Sequence, residues 1–220
     1  MRFRLLAAAG CLALATAAGP AAAQDRSGTF EISPFGGGYF GGTLFDAGHG
    51  HVDASTDVAY GIRFAYNINR VFGVEFDWTR AKADLDTHNL HSNPGFPALP
   101  ANGKIGTLTH DVYEANAIFN FGKRRAFGYF GMGLGAAVLK TDFTNVGSTS
   151  DTRFTGNFSA GFKGWVTPRF GFRFDGRWRY TDTNHTTSQG TWCDWYGYCY
   201  YYHTSWYNNG ELTGGLMFAF

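Results

Sequence analysis

Residues 211–220 alternate strictly between apolar side chains and small or polar ones. One face carries Leu212, Gly214, Leu216, Phe218 and Phe220, and the other carries Glu211, Thr213, Gly215, Met217 and Ala219. A repeat of two residues is that of a β-strand. In a soluble domain such an apolar strand would be a free edge prone to aggregation, whereas a strand that closes a barrel in lipid is paired on both sides. The stretch therefore favours a closed membrane barrel.

Seven further segments alternate in the same way. They cover approximately residues 29–40, 59–67, 72–79, 107–121, 127–140, 153–165 and 170–180. Pro34 and the glycines at 36–38 interrupt the alternation of the first segment, which predicts a β-bulge there. Eight such segments predict an all-β fold, an eight-stranded antiparallel up-and-down transmembrane β-barrel.

The connections between these segments alternate between short and long. Three are tight turns, at 68–70, 122–125 and 166–168, and the other four span roughly 41–55, 83–106, 141–151 and 183–206. Outer-membrane barrels have short periplasmic turns at one end and long extracellular loops at the other. A soluble β-sandwich has no reason to sort its loops in this way.

The two faces of the strands also favour lipid, because one is almost entirely aromatic and aliphatic. The opposite face carries charges of both signs: Arg63, Glu75, Asp77, Glu114, Lys163, Arg173, Asp175, Arg177, Arg179 and Glu211. A barrel of about eight strands has an interior that side chains just fill, so we expect these charges to pair as a plug in the lumen. Aligning the second and third segments places Arg63 opposite Glu75 or Asp77, and a buried arginine needs such a partner.

Aromatic residues near the strand ends are predicted to form girdles at the two membrane interfaces. They are Tyr60, Tyr66, Phe72, Trp78, Phe121, Trp165, Phe170 and Tyr180.

Residues 1–23 have the features of a cleaved signal peptide, which leaves 24–220 as the barrel domain. Arg2 and Arg4 precede an apolar run too short to span a membrane, and three alanines at 21–23 provide a cleavage site. Without Arg2 and Arg4 the count of Lys and Arg falls from 18 to 16, against 17 acidic residues. This near-neutral balance argues against nucleic-acid binding.

Two sets of motifs resemble a known family. Thr213, Gly215, Phe218 and Phe220 look like the C-terminal β-signal of bacterial outer-membrane proteins. Residues 30–35, 71–76 and 161–173, the last containing a Thr-Pro turn, resemble the OmpA/OmpX-like eight-stranded outer-membrane barrels. The resemblance implies the outer membrane of a Gram-negative bacterium, contact with its lipids and lipopolysaccharide, and insertion by the barrel assembly machinery. It implies the barrel alone, without the peptidoglycan-binding domain of OmpA.

The fourth long connection is rich in aromatic residues: Trp192, Trp195, Tyr196, Tyr198 and Tyr200. Cys193 and Cys199 are close together on an exported chain, so we predict a disulfide bond between them. Rigid aromatic side chains in a closed loop are typical of a surface that contacts a partner, a glycan or another extracellular ligand. Alternatively, they form a cap packed on neighbouring loops or on lipopolysaccharide head groups.

Histidines lie in three of the long connections. His49 and His51 accompany Asp46 and Asp53 in the first, His88 and His91 lie in the second, and His185 and His203 lie in the fourth. Such residues can bind zinc or copper. No four-ligand spacing is evident, however, so we predict solvated loop residues, no metal and no cofactor.

His203 and Ser205 are loosely similar to the His-x-Ser of the PagL lipid A deacylases, with Glu211 as a third member. The spacing to Glu211 differs from that family, and all three residues share the parity of the charged inner face. A lipid substrate would need an outward-facing site. The prediction is therefore a barrel without enzymatic activity and with a structural or surface-interaction role. A narrow pore and a lipid A-modifying enzyme are the alternatives.

Overall fold

The computed structural model describes residues 26–46, 51–88, 102–123, 125–143, 147–182, 192–193, 199–200 and 206–220. The predicted signal peptide lies outside these residues. The strands are β1 (Thr29–Phe40), β2 (Thr43–Asp46), β3 (His51–Ala54), β4 (Asp57–Asn67), β5 (Phe72–His88), β6 (Gly103–Lys123), β7 (Ala126–Phe143), β8 (Gly147–Trp165), β9 (Phe170–Asp182), β10 (Trp192–Cys193), β11 (Cys199–Tyr200) and β12 (Trp206–Ala219). No helix in the described ranges is long and apolar enough to cross a membrane.

Eight long strands form a closed antiparallel ring. Their hydrogen-bonded order is β1, β4, β5, β6, β7, β8, β9 and β12, and β12 pairs back with β1. At this seam the Phe220 amide donates to the Phe30 carbonyl oxygen at 2.9 Å, and the Phe30 amide donates to the Phe220 carbonyl oxygen at 3.3 Å. The predicted all-β, up-and-down barrel is confirmed.

The large sheet holds ten strands rather than eight. The short strands β2 and β3 form a hairpin, and β3 extends the ladder of β5 beyond the end of β4, pairing His51 with His88 and Ala54 with Leu85. A separate ladder joins β10 to β11. Segments of two to four residues are too short to show a repeat of two, which is why the sequence indicated loops there.

The outer face of β5 shows where the barrel leaves the membrane. Its residues are apolar from Phe72 to Trp78 and polar from Arg80 to His88. The inner face changes in the opposite sense, from Glu75 and Asp77 to Ala81, Ala83 and Leu85. The sheet therefore has lipid outside and polar groups inside along one part, and water outside and an apolar core inside along the other.

The strands on this side of the barrel are long because of that second part. β5, β6, β7 and β8 have 17, 21, 18 and 19 residues, whereas about 9–11 residues cross a bilayer. The connections predicted at 83–106 and 141–151 are consequently shorter than expected. We call the end that carries these extensions the loop end, and the end with the turns near 68–71 and 166–169 the turn end.

An apolar cluster closes the lumen at each end. The loop-end cluster contains Tyr39, Leu44, Val52, Ala54, Ala59, Ala81, Ala83, Leu85, Ile105, Leu108, Leu139 and Tyr207, with Phe143 against it. The turn-end cluster contains Trp165, Met217 and Ala219, with Phe127 against it. Trp165 therefore faces the lumen, and its prediction as a membrane-interface residue was wrong. Residues two apart in a strand share a face, and Lys163, two positions earlier, also points inward.

The first strand is regular. β1 pairs with β4 residue by residue from Thr29 opposite Asn67 to Tyr39 opposite Asp57, without a shift of register. The β-bulge predicted from Pro34 and the glycines was wrong. Glu31, Ser33 and Phe35 consequently share the inner face.

Candidate functional sites

The ten charged residues predicted for the inner face all lie in the lumen, and none exposes more than 5 % of its surface. Four of them, Arg173, Asp175, Arg177 and Arg179, are alternate residues of β9, because an extended strand directs every second side chain to the same face. Nine of the ten are joined by ion pairs, and we call these nine the lumen network: Arg63, Glu75, Asp77, Glu114, Arg173, Asp175, Arg177, Arg179 and Glu211.

Arg63 connects three other strands. Its Nε donates to Asp77 Oδ2 at 2.7 Å, one of its terminal nitrogens donates to Asp175 Oδ2 at 2.8 Å, and the other donates to Thr213 Oγ1 at 3.2 Å. Asp77 is also its partner in the β4–β5 register. The predicted contact between Arg63 and an acidic residue of the third segment is therefore present. The ring of Phe35 covers the guanidinium, with its centroid 3.7 Å from Arg63 Cζ.

Arg177 and Arg179 share acceptors in the middle of the lumen. Both guanidinium groups lie 3.0 Å from Glu114 Oε2 and 3.3 Å from Asp77 Oδ1. Arg179 also donates to Glu211, and Arg177 lies 3.3 Å from Glu75 Oε1. Four guanidinium groups and five carboxylates thus nearly cancel, which is the condition under which charges survive burial.

Arg173 extends the network towards the turn end. It donates to Glu75, and its Nε donates to Tyr129 Oη at 2.8 Å and lies 3.2 Å from Asp175 Oδ2. Arg173 Cζ lies 4.4 Å from the centroid of the Tyr129 ring. Tyr129 is a member of this cluster that the sequence did not single out.

Lys163 does not join the lumen network. Its Nζ lies 2.7 Å from Glu31 Oε2, and Asn67 donates to Glu31 Oε1 at 2.8 Å. Glu31 is the partner that sequence reasoning missed, because the expected bulge left the faces of the first segment unassigned. Phe30 and Ile32 on its two sides, both apolar, were the available signal.

Several buried polar atoms in the lumen have no hydrogen-bond partner among the described residues. They are His110 Nε2, Glu114 Oε1, Asn116 Nδ2, Asn157 Oδ1, Ser159 Oγ, Asp175 Oδ1, Arg177 Nε, Asn209 Nδ2 and Oδ1, and Glu211 Oε2. Buried polar groups of this kind are usually satisfied by ordered water.

The barrel wall is incomplete at the loop end of the β1–β12 seam. The pairing of the two strands ends where Phe40 lies opposite Gly210, whereas β12 continues along β9 to Trp206. A pocket of about 440 Å³ lies there, between residues 40–43 and 206–210, and Trp178 also lines it. Both tryptophans are half exposed.

Histidines from two connections meet on the outer face of the loop end. His51 lies opposite His88 in the β3–β5 register, and Asp53 lies opposite Asp86. The two imidazole rings are stacked with their centroids 5.2 Å apart. His49, His91, His185 and His203 lie outside the described residues, as do Asp46's side chain and Ser205. Glu211, the third residue of the hydrolase triad that the sequence argued against, is buried and bound by Arg179 inside the lumen, on the face that its parity indicated.

The aromatic connection is described only in part. Trp192 lies opposite Tyr200, and Cys193 lies opposite Cys199, in the β10–β11 ladder. Only the backbone of these four residues is described, and Trp195, Tyr196 and Tyr198 lie outside the described residues. Directly opposite residues of an antiparallel pair have Cα atoms about 4.5–5.5 Å apart, a separation that a disulfide bond can bridge.

At the C-terminus, Thr213 faces the lumen, and Phe218 and Phe220 face outward. Gly215 lies opposite Phe35, and a Cβ atom on it would lie 2.5 Å from the Pro34 carbonyl oxygen. The four residues of the β-signal motif thus lie along the closing strand.

Comparison with known proteins agrees with this architecture. A family model described as the outer membrane protein beta-barrel domain matches residues 9–220. OprG from Pseudomonas aeruginosa aligns with a TM-score of 0.59 at 12% identity, over 88% of this chain and 96% of that one. Neisserial surface protein A aligns with a TM-score of 0.54 at 16% identity, over 87% and 97%. AlkL, solved by solid-state NMR in lipid bilayers, aligns with a TM-score of 0.51 at 12% identity, over 92% and 94%.

No curated protein sequence matches the chain. The match to the family model covers nearly all of the chain, and the closed ring of strands with its apolar outer band fits it. The chain therefore belongs to the outer membrane protein β-barrel family, and this family points to the outer membrane of a Gram-negative bacterium.

Proposed function

We propose that the protein is an outer-membrane anchor that presents a rigid loop end to the outside of the cell for contact with a ligand or a partner, without catalytic activity. The observation that carries this proposal is the lumen. The lumen network and the two apolar clusters occupy the interior from one end to the other. A barrel whose lumen is filled in this way provides a rigid support for the loop end and is poorly suited to passing solutes.

The loop end has the construction of a small folded domain. Aliphatic side chains such as Val52, Leu85 and Leu108 are buried between extended hairpins. Each buried side chain of this size contributes about 1.5–3 kcal/mol relative to leaving it exposed. Rigid surfaces lose less conformational entropy on binding, so a cored extension favours a role in recognition.

The outer surface of the same region offers contact chemistry. The aromatic connection carries a predicted disulfide, and the pocket lined by Phe40, Trp178 and Trp206 combines apolar area with the exposed amide group of Asn208. Below them, the apolar band faces lipid, and the polar residues from Arg80 outward lie where lipopolysaccharide head groups would be. Insertion by the barrel assembly machinery through the β-signal belongs to the same proposal.

Surface labelling of intact cells tests the orientation that this proposal requires. A short tag is placed at Gln189, in the fourth long connection, and a matched tag is placed at Arg124, in a short turn. We expect a protein that does not cross the outer membrane to bind the first tag on intact cells and the second only after lysis. Binding of both tags only after lysis would contradict the proposal.

A narrow pore is the second candidate. It is favoured by the unpartnered polar atoms of Glu114, Asp175 and Arg177 in the lumen, which would bind water. A continuous file of such waters would conduct ions, and conductance measurements distinguish the two candidates.

A further inference from the structure

We propose that the loop end carries a binding site for a divalent transition-metal ion of the zinc type, formed by His51 and Asp53 of β3 with Asp86 and His88 of β5. The site does not depend on the contact function proposed above, because it requires only that β3 be paired with β5.

The strand register brings four potential metal ligands to one face. His51 and His88 are direct cross-strand neighbours, as are Asp53 and Asp86. Residues two apart in a strand share a face, and so do directly opposite residues. The four side chains therefore stand at the corners of a rectangle on the outer face of the sheet. Val52 and Thr87, which lie between them, are buried on the other face.

One distance within this group fits two ligands of the same metal ion, and a second is close to that value. His51 Nε2 lies 3.2 Å from Asp53 Oδ2, and His88 Nε2 lies 4.0 Å from the same oxygen. Two ligand atoms bound to tetrahedral zinc at about 2.0–2.1 Å are separated by about 3.3 Å. The first distance is already close to this value. The second reaches it if rotation of the exposed His88 side chain brings Nε2 less than about 1 Å closer to Asp53 Oδ2.

The side chains of the proposed site must rotate to bind an ion together. Within the described residues, no three His, Cys, Asp or Glu side chains already hold the geometry of a metal site. The side chains of His51 and His88 are about half exposed, so an ion reaches them from solvent without any movement of the backbone.

Two features distinguish this group from an ordinary surface ion pair. Asp53 Oδ1 is buried and has no hydrogen-bond partner among the described residues, so the carboxylate retains an unused acceptor. Asp53 also faces Asp86 directly, and like charges at opposite positions of a ladder repel each other. A cation between the two carboxylates removes the repulsion between them.

The ligand types select the class of metal. Imidazole nitrogens suit zinc, copper and nickel, whereas calcium and magnesium prefer oxygen ligands alone. Two imidazoles with one or two carboxylates form a common zinc ligand set. The four residues lie in two segments, 51–53 and 86–88, that meet only through the β3–β5 pairing, so no ligand spacing along the chain indicated a site.

Isothermal titration of the folded mature protein in detergent, prepared without a histidine tag, tests the proposal with zinc chloride as the probe. Loss of an outer partner of a metal ligand already costs about 10- to 100-fold in affinity. We therefore expect His51→Ala and His88→Ala each to weaken zinc binding at least about tenfold. Asp84→Asn is the matched control, since Asp84 lies on the same outer face of β5 and pairs with Lys104 at 2.7 Å.

Zinc affinity that is unchanged in the His51→Ala/His88→Ala double variant would overturn the proposal, as would failure of the wild-type protein to bind zinc. Equal weakening by Asp84→Asn would do the same, because it would show unspecific attraction to acidic residues. Migration on gels with and without boiling verifies that each variant is folded, and His51→Gln or His88→Gln replaces the corresponding alanine variant if it is not. X-ray absorption of the zinc-loaded wild type should show two imidazole ligands.

Discussion

Asp77 shows how an ionised side chain is accommodated inside a barrel. It is fully buried, it accepts hydrogen bonds from Arg63 at 2.7 Å and Thr79 at 2.7 Å, and it lies 3.3 Å from both Arg177 and Arg179. Its Oδ2 accepts from Arg63, and its Oδ1 faces Thr79, Arg177 and Arg179. The charges of the lumen are therefore shared, and Asp77 is an acceptor for three arginines at once.

Asp77→Ala should be severely destabilising for this reason. Removing one member of a buried ion pair costs about 3–5 kcal/mol, and here three buried arginines lose an acceptor together. Asp84→Ala, which removes an exposed pair with Lys104, should cost about 0–1 kcal/mol. Reversible urea unfolding in lipid vesicles measures both values. Similar small losses for the two variants would show that water, rather than Asp77, satisfies the arginines.

Two residues mark the limit of what could be read from the sequence at this scale. Tryptophan is a residue type typical of membrane interfaces, but Trp165 is two positions after Lys163 in β8 and therefore also points into the lumen. There the Arg26 guanidinium lies 3.3 Å from the centroid of its ring. Glu31 lies in a segment whose glycines concealed the alternation. Side-chain type alone was misleading in both cases, and the strand register decided the face.

At the scale of the element, β5 carries the most information. Its outer face changes from Trp78 to Arg80, and Arg80 is held by Asp111 through bonds of 2.6 Å and 2.9 Å. Tyr60 packs on Trp78 with ring centroids 6.4 Å apart. Aromatic residues followed by a charged pair are typical of the membrane interface. The prediction ended the strand here because the pattern inverts, although the backbone pairing continues to His88.

The same change from an apolar to a polar outer face predicts how β8 responds to a charge there. Phe158 and Ser150 are both exposed and point to the same side of the strand, but Phe158 lies in the apolar band and Ser150 lies in the extension. Phe158→Arg should destabilise the barrel by about 2–4 kcal/mol, the cost of arginine near the bilayer midplane. Ser150→Arg should have little effect. Unfolding in lipid vesicles distinguishes the two, and equal effects would show that the band does not face lipid.

The β10–β11 ladder leads to a prediction about the aromatic connection. Cys193 and Cys199 are direct cross-strand partners, so we expect the exported protein to contain an intramolecular disulfide bond between them. Peptide mass spectrometry under non-reducing conditions should find the two cysteines linked, and Cys193→Ser should leave Cys199 open to alkylation. Alkylation of both cysteines in the wild type without prior reduction would show that they are free thiols.

At the scale of the whole molecule, the packing of the lumen predicts its transport behaviour. The folded protein in planar lipid bilayers should show no resolved single-channel conductance, because buried side chains fill the interior. Replacing Arg177 and Glu114 together by alanine should open a path if these side chains are what blocks it. Clear conductance steps from the wild type would favour the narrow pore.

The architecture was predictable as a whole because one rule governs it. Alternation with lipid on one side identified the eight strands of the ring, the short turns and the inner charges. Inner residues such as Arg63 and Arg179 were found because a charge on an otherwise apolar strand has only one acceptable side. The loop end was not predictable, because it follows the opposite rule and its strands β2 and β3 are too short to show a period. The proximity of His51 and His88 is a product of that pairing.

The seam between β1 and β12 has a consequence for how the chain folds. Arg63 and Thr213, which bond across the lumen, are 150 positions apart, and Arg63 and Asp175 are 112 apart. Until β12 arrives, Arg179 lacks Glu211 and Arg63 lacks Thr213, so a half-assembled barrel holds cations without their full set of acceptors. Contacts of such long range make folding slow. They also make folding cooperative, because the last strand completes the barrel wall and the lumen contacts in one step. An intermediate without this strand is unstable in the bilayer.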